Sequence, residues 1–206
     1  MPREARTSEI VNTEKQRILS VAAEIIRTHG FEALSMRRLA REVGMTAANL
    51  YNYVSGKDQI YLEIQQKGFN LLKSIVKRAT DAPGTPEEKV RASAMAYIQF
   101  ALANPDLYKV MFAVDTPKYA DYHGTEAEGI ALAEKNAGLA VLDAAKEAVR
   151  QTDPTQSEET LHNKVLFLWS TLHGIANLLL SRILQEVTDD TESYIAYAVD
   201  RLVGTS

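Results

Sequence analysis

The sequence has no cysteine among its 206 residues, which removes disulfides and cysteine-ligated metal from consideration and fits a reducing compartment. Long apolar runs are missing as well. The longest spans six residues, 194–199, against the roughly 20 needed to cross a bilayer. The first residues, Met1-Pro2-Arg3-Glu4-Ala5-Arg6, lead into no apolar stretch of the kind that marks a secretion signal. A soluble, cytoplasmic chain without membrane association is expected. Enzymatic patterns are equally scarce. The four histidines, His29, His123, His162 and His173, stand at no metal-ligand spacing, and neither a phosphate-cradling glycine loop nor a Gly-x-Ser-x-Gly elbow occurs. The chain is therefore expected to be no enzyme, with no cofactor and no metal.

What is present is ordinary in amount and uneven in placement. Apolar residues make up 46% of the chain and charged residues 24%, with a net charge of −4. Residues 1–60 carry nine basic and seven acidic side chains, whereas the remainder carries 14 basic and 20 acidic. From Ser35 to Lys57 there are four basic residues and one acid, Glu42. A small basic head on an acidic body suggests that only the head meets a polyanion.

Helical signals recur along the whole chain, and strand signals are nearly absent. Ile18, Ala22, Ile25 and Ile26 form an apolar stripe at helical spacing. Thr13 and Gln16 have capping-box spacing, predicting a helix from about Glu14 to His29 that stops at Gly30. Ser35 is placed to cap a short helix closed by Gly44, and Thr46 another that ends near Tyr53 or Val54. A long fourth helix starts around 55–58, with Ile60, Ile64, Leu71, Leu72, Ile75 and Val76 as apolar positions. Thr85-Pro86-Glu87-Glu88 restarts a helix after the 81–84 break, and Asn104-Pro105 punctuates again. A 25-residue helix to about Arg150 follows. Thr155 with Glu158 predicts the start of a largely apolar helix reaching Glu186, and a last helix runs from about Asp189 to Val203. The expectation is an all-α fold of about nine helices: a flexible arm over 1–12, a three-helix head over 13–58 and a helical body over 59–206.

Two short helices around Gly44 have the proportions of a helix-turn-helix, whose second helix lies in the major groove of DNA. Thr46 and the amides after it suit a phosphate, Asn49 offers a donor and an acceptor to a base edge, and Ala47 and Ala48 keep the backbone close to the groove. Tyr51 and Tyr53 carry hydroxyls suited to phosphate oxygens, and Lys57 adds a positive charge.

These residues resemble a family. Gly30-Phe31, Leu34 through Ala40, Val43-Gly44-Met45-Thr46, Leu50 through Tyr53 and Lys57 are similar, without a gap over about residues 14–60, to the DNA-binding domain of TetR-type repressors. Ala48 stands where glycine is frequent and Val54 where phenylalanine is usual. The resemblance implies that Arg37, Ala47, Ala48 and Asn49 meet base edges, and that Ser35, Thr46, Tyr51, Tyr53 and Lys57 meet phosphates. It further implies a homodimer on a palindromic operator in double-stranded DNA, paired through its last two helices.

The stretch from Leu168 to Ile175, following Asn104 through Phe112, is similar to a TetR C-terminal subfamily marked by Trp-x-x-x-His-Gly. Trp169 and His173, four residues apart, share one helix face. With Tyr97, Phe100, Tyr108, Met111 and Phe112 they are expected to wall a pocket for a small, largely apolar effector, whose polar handle meets His173 or Asn177. The expected function is a DNA-binding regulator, a repressor released by that effector. The rival is an α-helical protein-interaction or adaptor module without DNA binding.

Overall fold

The computed structural model describes residues 8–112 and 116–204. Among these it contains ten α-helices and no strand: α1 (Ser8–His29), α2 (Met36–Glu42), α3 (Ala47–Leu50), α4 (Lys57–Asp81), α5 (Pro86–Ala103), α6 (Pro105–Met111), α7 (Glu128–Thr152), α8 (Glu158–Leu180), α9 (Ile183–Val187) and α10 (Thr191–Val203). Two 3-10 turns, Phe31–Ala33 and Tyr119–Tyr122, complete it. No helix among the described residues is long and apolar enough to cross a membrane.

The chain divides into two compact units, Met1–Gly68 with Lys109–Lys135, and Phe69–Tyr108 with Asn136–Ser206. In the first, the α1 stripe is buried as its spacing predicts: Ile18 and Ala22 are fully covered, and Ile25 and Ile26 nearly so. Leu39, Ala40, Val43 and Leu50 are buried beside them, where each large aliphatic side chain contributes roughly 1.5–3 kcal/mol. In the second unit α5 packs against α8 and α10. Arg91 on α5 is ion-paired with Asp200 on α10, and Glu158 at the head of α8 pairs with Lys146 and Arg150 on α7.

Several helix boundaries depart from the expected ones. The first helix begins at Ser8 rather than Glu14, so residues 8–12 of the expected arm are helical, and residues 1–7, with Arg3 and Arg6, lie outside the described ones. Thr13 is therefore inside the helix, and its hydroxyl donates to the Glu9 carbonyl at 2.9 Å instead of capping. The capping box at Thr85 forms, with its hydroxyl accepting from the Glu88 amide and the Glu88 carboxylate accepting from the Thr85 amide. At α8 the cap is Ser157, not Thr155, whose hydroxyl donates to Asp153 at 2.7 Å. The helix expected to reach Glu186 stops at Leu180, because Arg182 takes a left-handed conformation (φ 63°) before α9. Leu71, expected on the apolar face of α4, is 41% exposed.

Candidate nucleic-acid interface

The sequence builds the α2–α3 pair from caps, one turn and a small core. Ser35 Oγ accepts from the Arg38 amide at 3.2 Å, and Thr46 Oγ1 accepts from the Asn49 amide at 3.1 Å. Both caps satisfy amides that the first turn of a helix leaves without a partner. Between them the chain reverses at Gly44 (φ 71°), in the left-handed region where a Cβ would be strained. The Met45 amide then reaches back to the Ala40 carbonyl at 2.9 Å. From α1, Arg17 donates to the Val43 carbonyl at 2.9 Å, bracing the turn from outside. The packing of α2 against α3 is thus over-determined by covalent geometry, hydrogen bonds and burial together.

This construction leaves the candidate contact residues outside the core. Ser35, Arg37, Thr46, Ala47, Ala48 and Tyr51 are exposed, while Asn49, Tyr53 and Lys57 are half-buried. Asn49 Oδ1 accepts from the Asn52 amide group at 3.3 Å, which orients the side chain. Tyr51 is 54% exposed, placing it on the surface rather than in the core. Lys57, at the first position of α4, is held from the other side. Its ammonium lies 3.8 Å above the centre of the Phe31 ring and 3.4 Å from a Glu32 carboxylate oxygen. Reaching a phosphate requires it to exchange Glu32 for the new anion.

Two residues of this unit were not singled out from sequence. Tyr61 packs against Phe31 with the rings tilted by 57° and their centres 4.6 Å apart, and its hydroxyl donates to the Val110 carbonyl at 3.1 Å. Gln65, one turn on and 5% exposed, donates to the Tyr61 oxygen and to the Val110 and Met111 carbonyls within 3.3 Å. The available signal was a glutamine three and four residues after Leu62 and Tyr61, in register with an otherwise apolar face.

The expected effector residues divide between the units. Met111 and Phe112 belong to the first, where the Met111 carbonyl is one of the groups Gln65 holds. In the second unit Tyr97, Phe100 and Tyr108 are buried, and a polar chain joins three helices. Tyr97 Oη lies 3.1 Å from Tyr108 Oη, which lies 2.6 Å from His173 Nδ1. Trp169 and His173 have ring centres 5.9 Å apart. Burial holds the His173 imidazole below its usual range, so it is neutral near pH 7, and pushes Tyr97 up to about 12. Asn177 stands apart: it is exposed and donates to the His173 carbonyl at 2.9 Å. The apolar space beside Tyr97, Leu168, Trp169 and Leu172 measures about 30 Å³, an order of magnitude below the 300–1,000 Å³ typical of ligand pockets. Side chains fill it.

A capped, glycine-turned helix pair that leaves the Thr46 cap and Ala47 and Ala48 of its second helix exposed has the build of a DNA-binding helix-turn-helix. Residues 18–64 match the model of bacterial regulatory proteins of the tetR family, and residues 90–202 match that of the tetracyclin repressor-like C-terminal domain. The chain belongs to the TetR family. It is 28% identical over 105 residues to the HTH-type transcriptional regulator Mb1846 of Mycobacterium bovis, an alignment covering 50% of this chain and 45% of that protein. The chain spans about half the length of the curated relatives it matches. Among solved structures, SCO4313 superposes with a TM-score of 0.77 at 21% identity, over 99% of this chain and 100% of that one. The TetR family regulator PfmR from Thermus thermophilus gives 0.70 at 17% identity, covering 97% of each chain. These two likenesses concern the fold. The families and relatives matched are regulators of transcription.

Proposed function

We propose that the chain is a cytoplasmic repressor that binds a palindromic operator as a homodimer, with residues 13–58 as the DNA-reading head and residues 59–206 as the dimerisation and effector body. The observation that carries the reading is the α2–α3 pair. Its capped and buried frame leaves Arg37, Ala47, Ala48 and Asn49 for base edges, and Ser35, Thr46, Tyr51, Tyr53 and Lys57 for phosphates. Operator selection with the purified protein tests it. Lys57→Ala should weaken binding to all sequences alike and flatten the salt dependence, whereas Asn49→Ala should relax the preference at one base position. Absence of any sequence-specific complex at low salt refutes the reading, and retention of a protein partner by a Tyr51→Ala, Lys57→Ala variant would favour an adaptor.

Pairing is supported by an uncovered face on the last helices. Phe167, Ser170, Gly174 and Leu178 follow each other at helical spacing on α8, and all are exposed, Phe167 by 57%. Among the described residues, no atom beyond the neighbouring backbone of α8 lies within 4 Å of a Cβ built on Gly174, which leaves room there for a partner's helix. Tyr194 and Tyr197 on α10 are exposed in the same way. Sedimentation should give twice the 22.8 kDa chain mass, and Phe167→Glu should give the monomer.

The effector half of the proposal rests on the buried Tyr97–Tyr108–His173 chain beside Trp169, the tryptophan and histidine of the Trp-x-x-x-His-Gly pattern. A small, largely apolar ligand enters there by displacing side chains, and α4, which continues from one unit into the other, carries the change to the head. A screen for compounds that raise thermal stability while weakening operator binding tests it. A Trp169→Ala variant with an unaltered inducer response would overturn this assignment.

A further inference from the structure

The positive charge that the head offers to phosphates is already engaged in the free protein. Of Ser35, Thr46, Tyr51, Tyr53 and Lys57, only Lys57 is cationic. Its ammonium is held by two consecutive residues of the Phe31–Ala33 turn. The Phe31 ring, 9% exposed, packs against Tyr61 one turn along α4 and lies with its centre 3.8 Å from the ammonium. A Glu32 carboxylate oxygen lies 3.4 Å from the same nitrogen, and the Glu32 side chain is 86% exposed, against 26% for Lys57. Exposure thus rises from ring to ammonium to carboxylate. An anion arriving from solvent meets Glu32 as well as Lys57.

Electrostatics explains why this pairing forms. Lys57 is the first residue of α4, and the free amides that open a helix carry partial positive charge, which repels an ammonium and favours an anion beside it. The Glu32 carboxylate and the negative face of the Phe31 ring offset that repulsion. A DNA phosphate offers the same charge sign and the same oxygen acceptors as Glu32, so the two compete for one donor. When the phosphate takes Lys57, Glu32 loses its ion pair and stands close to a second anion, and both changes cost affinity. Neither depends on a base. On the footing of the DNA-binding function, we propose that Glu32 stands in for a phosphate in the free protein and sets how tightly the head binds duplex DNA of any sequence. Phe31 holds the ammonium within reach of either anion.

Fluorescence anisotropy of a labelled duplex of mixed sequence, titrated with the full chain at low and at near-physiological salt, tests this role. Glu32→Gln keeps the shape of a highly exposed side chain, and thermal unfolding verifies that the fold is intact. The variant should bind about two- to fivefold tighter at low salt, the scale of an exposed ion pair, and the gain should shrink as salt screens it. Removing an acid anywhere on the head would also raise affinity for DNA, so a cycle with Lys57→Ala decides the matter. In the Lys57→Ala background the gain from Glu32→Gln should vanish, because no ammonium is left to release. A gain of equal size in both backgrounds overturns the proposal, as does unchanged or weaker binding by Glu32→Gln alone. A wild type that binds no duplex at low salt overturns the DNA-binding function and this role with it. A wild type that binds, with an additive cycle, overturns only the role of Glu32.

Discussion

Gln65→Leu is expected to destabilise the protein although it replaces a polar residue in the interior with an apolar one of similar size. The C-terminal turn of α6 leaves carbonyls without helical donors. Gln65 and Tyr61 supply those donors, at 3.3 and 3.1 Å from the Val110 and Met111 oxygens for the Gln65 amide and 3.1 Å from Val110 for the Tyr61 hydroxyl. The amide has two hydrogens and three acceptors in reach, so it serves two at a time. With leucine at 65, Tyr61 still reaches Val110 but the Met111 carbonyl loses this donor in a site that is 5% exposed. A buried acceptor left unsatisfied costs about 1–3 kcal/mol, and the added apolar burial offsets part of it. A net loss of about 1–2 kcal/mol lowers the midpoint of a chain this long by roughly 2–8 °C in calorimetry. A double-mutant cycle with Tyr61→Phe should show non-additivity above about 0.5 kcal/mol, because both side chains serve the same carbonyl. An unchanged or raised midpoint, or strict additivity, would refute the assignment of these bonds.

Gly44→Ala should cost about 1–2 kcal/mol in urea unfolding from its left-handed backbone alone, since no atom lies within 4 Å of the added Cβ. Hydrogen bonds from Arg150 and then Lys146, reinforced by their charges, hold the Glu158 carboxyl down at about 2, so the stability it contributes is complete above its ordinary pKa of 4.5 and is lost as pH falls toward 2. Glu158→Gln should flatten that part of the pH–stability curve. Burial lowers the His173 pKa, so the unfolded chain takes up a proton first and stability should decline as pH drops below about 6.5. His173→Gln should remove this decline while Glu158→Gln leaves it intact.

The helix-turn-helix was legible because each part of it is local. Caps at Ser35 and Thr46, a glycine at 44 and aliphatic residues three and four apart determine it within 16 residues. The same local reasoning failed at Thr13, where the Thr-x-x-Gln spacing is satisfied equally well inside a helix, with the hydroxyl turned back to Glu9. It failed at Thr155, where Ser157 competes two residues later. The break at Arg182 had no signal, since arginine has no preference for the positive φ it takes there. The candidate effector site was the least legible part. Aromatic residues at suitable positions are equally compatible with walls around a space and with side chains that fill it, and only coordinates distinguish 30 Å³ from a ligand-sized cavity.

The opening turns of α4 carry unrelated duties on successive faces. Lys57 sits over Phe31, Asp58 lines an open cleft with Asp121 and Glu126, Tyr61 and Gln65 hold the end of α6, and Glu63 accepts from Lys15 on α1. Every direction around the helix is spoken for within nine residues. Such a segment has little freedom to drift. In a saturation library scored for folded protein and operator binding together, positions 57–65 should form a block of low mutational tolerance, including half-exposed members that an accessibility argument would rate as freely exchangeable. Divergence within this lineage would then be channelled into the second half of α4, where Leu71 and its exposed neighbours face no comparable demands.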